Sequence, residues 1–174
     1  GHIGPLPQFT SCCPAWVRLV ETKYPTLIPN LSSAKSPQQM AGTVAKTYGT
    51  KVWNKPAEKI FTVGIMPCTA KKLEASRPEF VSAYGHNKKH GQATGALYPD
   101  VDTVLTTRDL ARLFKKLRIN LAAEQEVEGG NLLADYTGAG TIFGNTGGVM
   151  EAALRTAYAV LTGNEIKPLE FKPV

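Results

Sequence analysis

Sulfur is scarce in this 174-residue chain, which has three cysteines and three methionines. An odd cysteine count does not make a secreted disulfide framework, which needs an even set. No Cys-x-x-Cys pair occurs and no histidine stands close by to complete a zinc set. No apolar run reaches the length of a membrane-spanning helix, and no segment reads as a secretory leader. Dense basic runs are missing too. Lys71-Lys72, Lys88-Lys89 and Lys115-Lys116 are scattered pairs. The excess of 20 Lys and Arg over 14 Asp and Glu therefore reads as a solvated surface, with no nucleic-acid stripe. There is no internal repeat.

What is present is a globular composition, 43% hydrophobic and 20% charged. The length suffices for one domain with a sizeable core. Pro14 to Tyr24 reads as a helix with Pro at an early position and a stop at Pro25. The prolines of PTLIPNL predict an extended segment. Ser36, Pro37 and Gln39 have the form of a capping box, opening a helix that should run to about Tyr48 and end at Gly49. KIFTVGIM, Lys59 to Met66, and VDTVLTT, Val101 to Thr107, read as buried neighbouring strands. Between them TAKKLEA reads as a helical turn. Thr107 should cap RDLARLFKKLRI, whose Leu110, Leu113, Phe114 and Leu117 form one apolar face. A third strong helix should span about Gly147 to Leu161 and stop at Gly163. KPLEFKPV closes as a strand. Strands alternating with helices predict an α/β sandwich with a mostly parallel sheet, as a single domain over residues 1–174. Residues 84–99, rich in Gly, His and Lys, break the rhythm and read as an exposed insertion.

All three cysteines fall in two proline-marked turns, FTSCCPAW and IMPCTAKKLE. Sites in parallel sheets gather at loops leaving the carboxyl ends of strands, and Met66-Pro67-Cys68 is such a loop. A Pro beside a Cys fixes the direction of the thiol and suits a thiolate ligand. The bland alternative is three small buried apolar side chains. A four-iron cubane normally takes four cysteines. Adjacent residues point apart, so Cys12 and Cys13 should not both hold one cluster. The chain offers two ligands, Cys13 and Cys68, and one spare thiol.

TSCCPAW and MPCTAKKLE resemble the first two signature motifs of the FeFe-hydrogenase catalytic domain. NLSSAKSPQQM and FGNTGGVMEAALR also resemble stretches of it, and the likeness covers essentially the whole chain outside residues 84–99. The resemblance implies reversible reduction of protons to hydrogen at an H-cluster. In that cofactor a four-iron cubane, held by four cysteines, is bridged to a di-iron unit carrying CO, cyanide and a dithiolate amine. By motif, Cys13 and Cys68 are two cubane ligands and Cys12 is the proton-relay thiol. Lys71 donates a charge-assisted hydrogen bond to a cyanide, and Met66, Pro67 and Gln38 line the di-iron pocket. Ser32 and Glu74 continue the proton path outward. These residue types suit the chemistry, because a relay needs groups that each take up and release a proton. An anionic cofactor is also served by a buried lysine. The implied electron carrier is one such as ferredoxin. The implied setting is the cytoplasm of an anaerobic microbe, with the periplasm as the alternative.

The family's third motif, which supplies the other two cubane ligands, does not occur in these residues. The chain therefore reads as one lobe of a two-lobed catalytic domain, completed by the remainder of that domain and inactive alone. Two other readings compete. Non-catalytic iron–sulfur assembly proteins resemble this family but lack the thiol at the Cys12 position. A plain metal-binding module would use His86-x-x-x-His90, but Gly85, Asn87 and Gly91 weaken a helix there, so a solvated loop is expected.

Overall fold

A computed structural model of the chain describes residues 4–93, 95–127 and 138–165. The sequence suggests one domain; the chain divides into two compact units, Gly1–Glu128 and Gly129–Val174.

The first unit opens with α1 (Pro14–Lys23), whose N-cap is Cys13 and whose first residue is Pro14. The preset φ of proline makes it a good helix opener, and its missing N–H is one that a first turn leaves unbonded anyway. The next segment corrects the sequence reading. Pro25–Asn30 is a 3-10 turn, with Leu31 N–H donating to the Ile28 carbonyl, rather than extended chain. Proline's φ serves a tight turn as well as an extended strand.

Helix α2 (Pro37–Ala45) is capped as expected at its start, with the Ser36 side chain accepting from the Gln39 N–H. It ends earlier than expected, and the chain kinks at Lys46-Thr47 into the short α3 (Tyr48–Val52). The kink lets Lys46, 1% exposed, reach inward. Its ammonium donates to the Pro99 carbonyl at 2.8 Å and pairs with Asp102 at 2.7 Å.

Strands β1 (Val63–Met66) and β2 (Thr103–Thr106) form a parallel pair in the register Val63↔Thr103 to Met66↔Thr106. Both are shorter than the apolar runs that announced them. Only β2 alternates between buried and half-buried positions; Val63 and Ile65 of β1 are more than two-fifths exposed, so the expectation of two buried strands fails for β1. The crossover carries α4 (Ala70–Ala75) and α5 (Ser82–Lys89). A parallel pair requires such a crossover.

Most of the described residues in 84–99 are exposed, but the stretch begins inside α5, and Asn87 and Tyr98 within it are buried, as is the preceding Ala83. Tyr84 and Tyr98 meet edge to face at 5.3 Å. Asn87 Nδ2 donates to the Lys46 carbonyl and to the Tyr98 hydroxyl, both at 2.8 Å. Burial raises the pKa of the Tyr98 hydroxyl, partly offset by the bond from Asn87. The first turn of α5 is met by Asp100, which is fully buried and accepts from the Ser82 and Ala83 N–H groups. A carboxylate at that end answers both the free N–H groups and the helix dipole. These contacts override the roughly 1 kcal/mol that Gly85 costs a helix.

Helix α6 (Thr107–Leu117) follows β2 directly. Its cap is Thr106, one residue before the expected Thr107, and the capping box is complete: Asp109 N–H donates to Thr106 Oγ1, and Thr106 N–H to the Asp109 carboxylate. The expected apolar face exists but is not buried, with Leu117 58% exposed. Lys72 beside Asp109, reinforced by Thr106, holds the Asp109 carboxyl well below the usual carboxylate range. A carboxyl whose folded pKa is depressed stabilises the fold above its unfolded value of about 3.9, and that stability is lost as pH falls from there toward the folded pKa. Asp109→Asn should therefore lower the melting temperature most near neutrality. The gap to the parent should close below about pH 4. A gap that stays constant from neutral pH to pH 2.5 in thermal melts would refute the assignment.

The second unit contains α7 (Gly138–Phe143) and α8 (Gly148–Thr162). Gly147 and Gly163, at φ of 73° and 70°, flank α8 as the sequence suggested. Glycine suits both positions because left-handed backbone strains other residues. The proposed strand in KPLEFKPV lies outside the described residues.

Candidate functional site

Two turns carry the three cysteines. Cys13 ends the first as the N-cap of α1, its carbonyl accepting from the Val17 N–H at 3.0 Å. Cys68 lies on the second, between the carboxyl end of β1 and the start of α4, with its carbonyl accepting from the Lys71 N–H at 3.3 Å. All three thiols are free; Cys13 and Cys68 are exposed and Cys12 is half-buried. The bland reading of three buried apolar side chains fails on that exposure.

Lys71 joins the two turns. Its ammonium reaches back across 59 positions to donate to the Cys12 carbonyl at 2.7 Å, and it also pairs with Glu74 at 3.2 Å. An ammonium has three N–H donors, and these contacts use two. Glu74 is 3% exposed, so its charge needs partners. It has three, all on Oε2: Lys71, the Ser36 hydroxyl at 2.9 Å and Gln38 Nε2 at 3.2 Å. Gln38 also donates to the Lys71 carbonyl at 3.4 Å, while its buried Oε1 has no partner. Gly64 of β1 makes room for that amide, since a Cβ there would lie 2.9 Å from Gln38 Oε1.

Behind this cluster lies a cavity of about 300 Å³, lined by Ser11, Ser32, Ser36, Glu74 and Arg77 among others. Ser11 Oγ lies 2.6 Å from the Ser32 carbonyl and 2.9 Å from the Ala34 carbonyl, so its single O–H is shared between them and braces the cavity wall. Arg77 closes one side, held by both carboxylate oxygens of Glu21 and by Glu79. The bonds to Arg77 lower the pKa of Glu21, and those to the two carboxylates raise that of Arg77.

Of the residues singled out in the sequence, Cys12, Lys71, Glu74 and Gln38 form one bonded cluster. Ser32 does not bond to Glu74; its Oγ accepts from the Ala34 N–H at 3.2 Å, and the two residues share only the cavity wall. Met66 is half-buried at the end of β1, and Pro67 is exposed. Sequence reasoning treated Ser36 as a cap alone. It caps α2 and also donates to Glu74, and local spacing carries no sign of the second task because the partner lies 38 positions away. Ser11 and Arg77 were missed for the same reason.

The description "Iron only hydrogenase large subunit, C-terminal domain" belongs to a family model that matches residues 2–174. The chain belongs to this family. It is 47% identical over 171 residues to iron hydrogenase 1 of Clostridium pasteurianum, covering 98% of this chain and 28% of that protein. It is 46% identical over 170 residues to the periplasmic Fe hydrogenase large subunit of Nitratidesulfovibrio vulgaris, covering 98% and 37%. Among solved structures, the FeFe-hydrogenase HydA1 from Chlamydomonas reinhardtii matches with a TM-score of 0.75 and 43% identity, over 98% of this chain and 39% of that one. The cytosolic Fe-S cluster assembly factor NAR1 of Phaeosphaeria nodorum is also similar, at 41% over a shorter 117 residues. The chain thus spans between about a quarter and two-fifths of each hydrogenase it matches. The mixed α/β fold with a parallel strand pair, expected from the sequence, agrees with that of its structural neighbour. No described helix of this family member is long and apolar enough to cross a membrane.

Proposed function

We propose that these residues form one lobe of a hydrogenase catalytic domain, supplying part of the pocket that holds an H-cluster. The observation that carries the reading is the Lys71 bond to the Cys12 carbonyl, which ties together two turns bearing free thiols, those of Cys13 and Cys68 exposed and that of Cys12 half-buried. The donor set fits half of an iron–sulfur ligand set: soft sulfur from Cys13 and Cys68, and no cluster of three or more His, Cys, Asp or Glu among the described residues. The rest of the catalytic domain would bring the other two cysteines.

When bound, the cluster would supply the redox chemistry that joins two protons and two electrons into hydrogen. The residues of this chain have separate tasks. Cys13 and Cys68 hold iron. Cys12, half-buried beside them, passes a proton by its thiol. Lys71 keeps one N–H donor free for an anionic ligand, while Glu74 and the Cys12 carbonyl fix its other two. Gln38 presents its unpartnered amide oxygen, and Met66 and Pro67 follow at the carboxyl end of β1. Ser32 and Glu74 line a cavity large enough for waters that would continue a proton path outward. Electrons would come from a carrier such as ferredoxin, and the setting would be the cytoplasm or periplasm of an anaerobe. Cys12 favours hydrogenase over the assembly-factor reading, since the notable feature of TSCCPAW is its second thiol.

The test compares the full-length protein with residues 1–174 alone, both prepared without oxygen. Full-length protein should contain iron and evolve hydrogen from a reduced dye, and the 174-residue chain should evolve none. Full-length protein that assembles an iron–sulfur cluster yet shows no hydrogen activity would support the assembly reading instead.

A further inference from the structure

His86 and His90 lie outside the cysteine site, and the hydrogenase reading gives them no task. The sequence argued against a helix under them. The structure provides one: His86 is inside α5 and His90 is its C-cap, four positions on. Residues four apart share a helix face. Their ring centroids lie 4.3 Å apart with the planes tilted by 31°, and both residues are exposed. His90 Nδ1 lies 2.8 Å from the His86 carbonyl. A carbonyl only accepts, so that bond fixes the proton of neutral His90 on Nδ1 and leaves the Nε2 lone pair free.

Such an anchor is how proteins prepare a histidine for a metal: one ring nitrogen is held by a carbonyl, and the other ligates. Two imidazoles at this spacing on one helix face are a bidentate chelate. The charges around them are mixed. Lys88 and Lys89 lie between the two histidines in sequence, but the Lys88 ammonium is drawn over the Tyr84 ring, 5.8 Å from its centroid. No carboxylate joins the pair to make a third protein ligand among the described residues. We propose that His86 and His90 form a surface chelate for a borderline divalent metal ion of the zinc, nickel and copper group, with water filling the remaining positions. Imidazole suits that group, whereas hard oxygen sites suit magnesium and calcium.

The floor beneath the pair is rigid. Asn87, between them in sequence, is buried and bonded to the Lys46 carbonyl and the Tyr98 hydroxyl. Gly85, one residue before His86, has open space where a Cβ would go. Replacing it with alanine should firm the helix without a clash.

The probe is Ni²⁺ alone, titrated calorimetrically into the chain after its thiols have been alkylated. The expected result is one site per chain at pH 7.5. Affinity should fall by about ten-fold or more in His86→Gln and in His90→Gln. Both rings are exposed, so circular dichroism should show the variants folded. Gly85→Ala should bind at least as tightly as the parent, and His2→Gln should bind equally. Equal affinity in the parent and the His86 and His90 variants would overturn the proposal. So would binding that disappears on alkylation, or that depends on His2 alone. None of these outcomes bears on the cysteine site.

Discussion

Cys13→Ser in the full-length protein should strip most of the cluster iron, while Cys12→Ser should keep the iron and cut hydrogen turnover by about a hundred-fold or more. The two residues are neighbours on one turn, but their surroundings differ. Cys13 is the exposed N-cap of α1, followed by a buried Pro14 that keeps the turn from relaxing into helix. Its sulfur faces outward, where a cluster shared with the rest of the domain would sit. A serine oxygen there is a hard donor and a poor replacement for thiolate on iron. Cys12 is half-buried, and its carbonyl is already engaged by Lys71. A serine there keeps the backbone tie and changes only the acid. A hydroxyl is a far weaker acid than a thiol and passes protons poorly near neutral pH. Iron content and hydrogen evolution measured on both variants decide the matter. Loss of iron from Cys12→Ser with retention in Cys13→Ser would reverse the roles, and full activity in both would end the hydrogenase reading of this turn.

The second large effect belongs to Glu74. Its substitution by glutamine should cost about 3–5 kcal/mol, read as a lower urea midpoint with an unchanged slope. Size is conserved, so the Ser36 and Gln38 bonds to one oxygen can persist. What is lost is the anion opposite Lys71, whose side chain is only 14% exposed. An ammonium left buried without its partner is the expensive part of breaking such a pair. Changing both residues together, Lys71→Met with Glu74→Gln, should recover much of the loss, because the uncompensated charge goes with the lysine. A double variant as unstable as the sum of the single variants would show that the pair is not coupled.

The elements set by local chemistry were legible in the sequence. Pro14, the Ser36 cap, the two glycines around α8 and the Val–Thr-rich β2 each act through their immediate neighbours, so their signals lie within a few residues. The failures share a cause as well. The helical state of α5 depends on Asp100 meeting its first turn and on Tyr98 and Asn87 packing beneath it. The exposure of β1 depends on what lies across the sheet, which periodicity does not report. At the site, the cysteine turns and Lys71 were legible from motif. The bonded partners of Glu74 were not, because Ser36 and Gln38 reach it from 38 and 36 positions away. That Ser32 and Glu74 meet across a cavity and not through a direct bond was likewise invisible, because motif spacing does not report the space between side chains.

The bond from Lys71 to the Cys12 carbonyl also bears on what the cysteine surface depends on. It closes a loop of 59 positions. Closing such a loop is entropically unfavourable until intervening structure shortens it. Helix α4 is positioned by contacts with β2 as well as α1, and β2 follows it by about thirty residues. The contacts of α4 with α1 and β2 offset that entropy, so the tie between the cysteine turns stands only with the surrounding fold. The surface that would receive iron is therefore as durable as the packing of the first unit and would come apart with it.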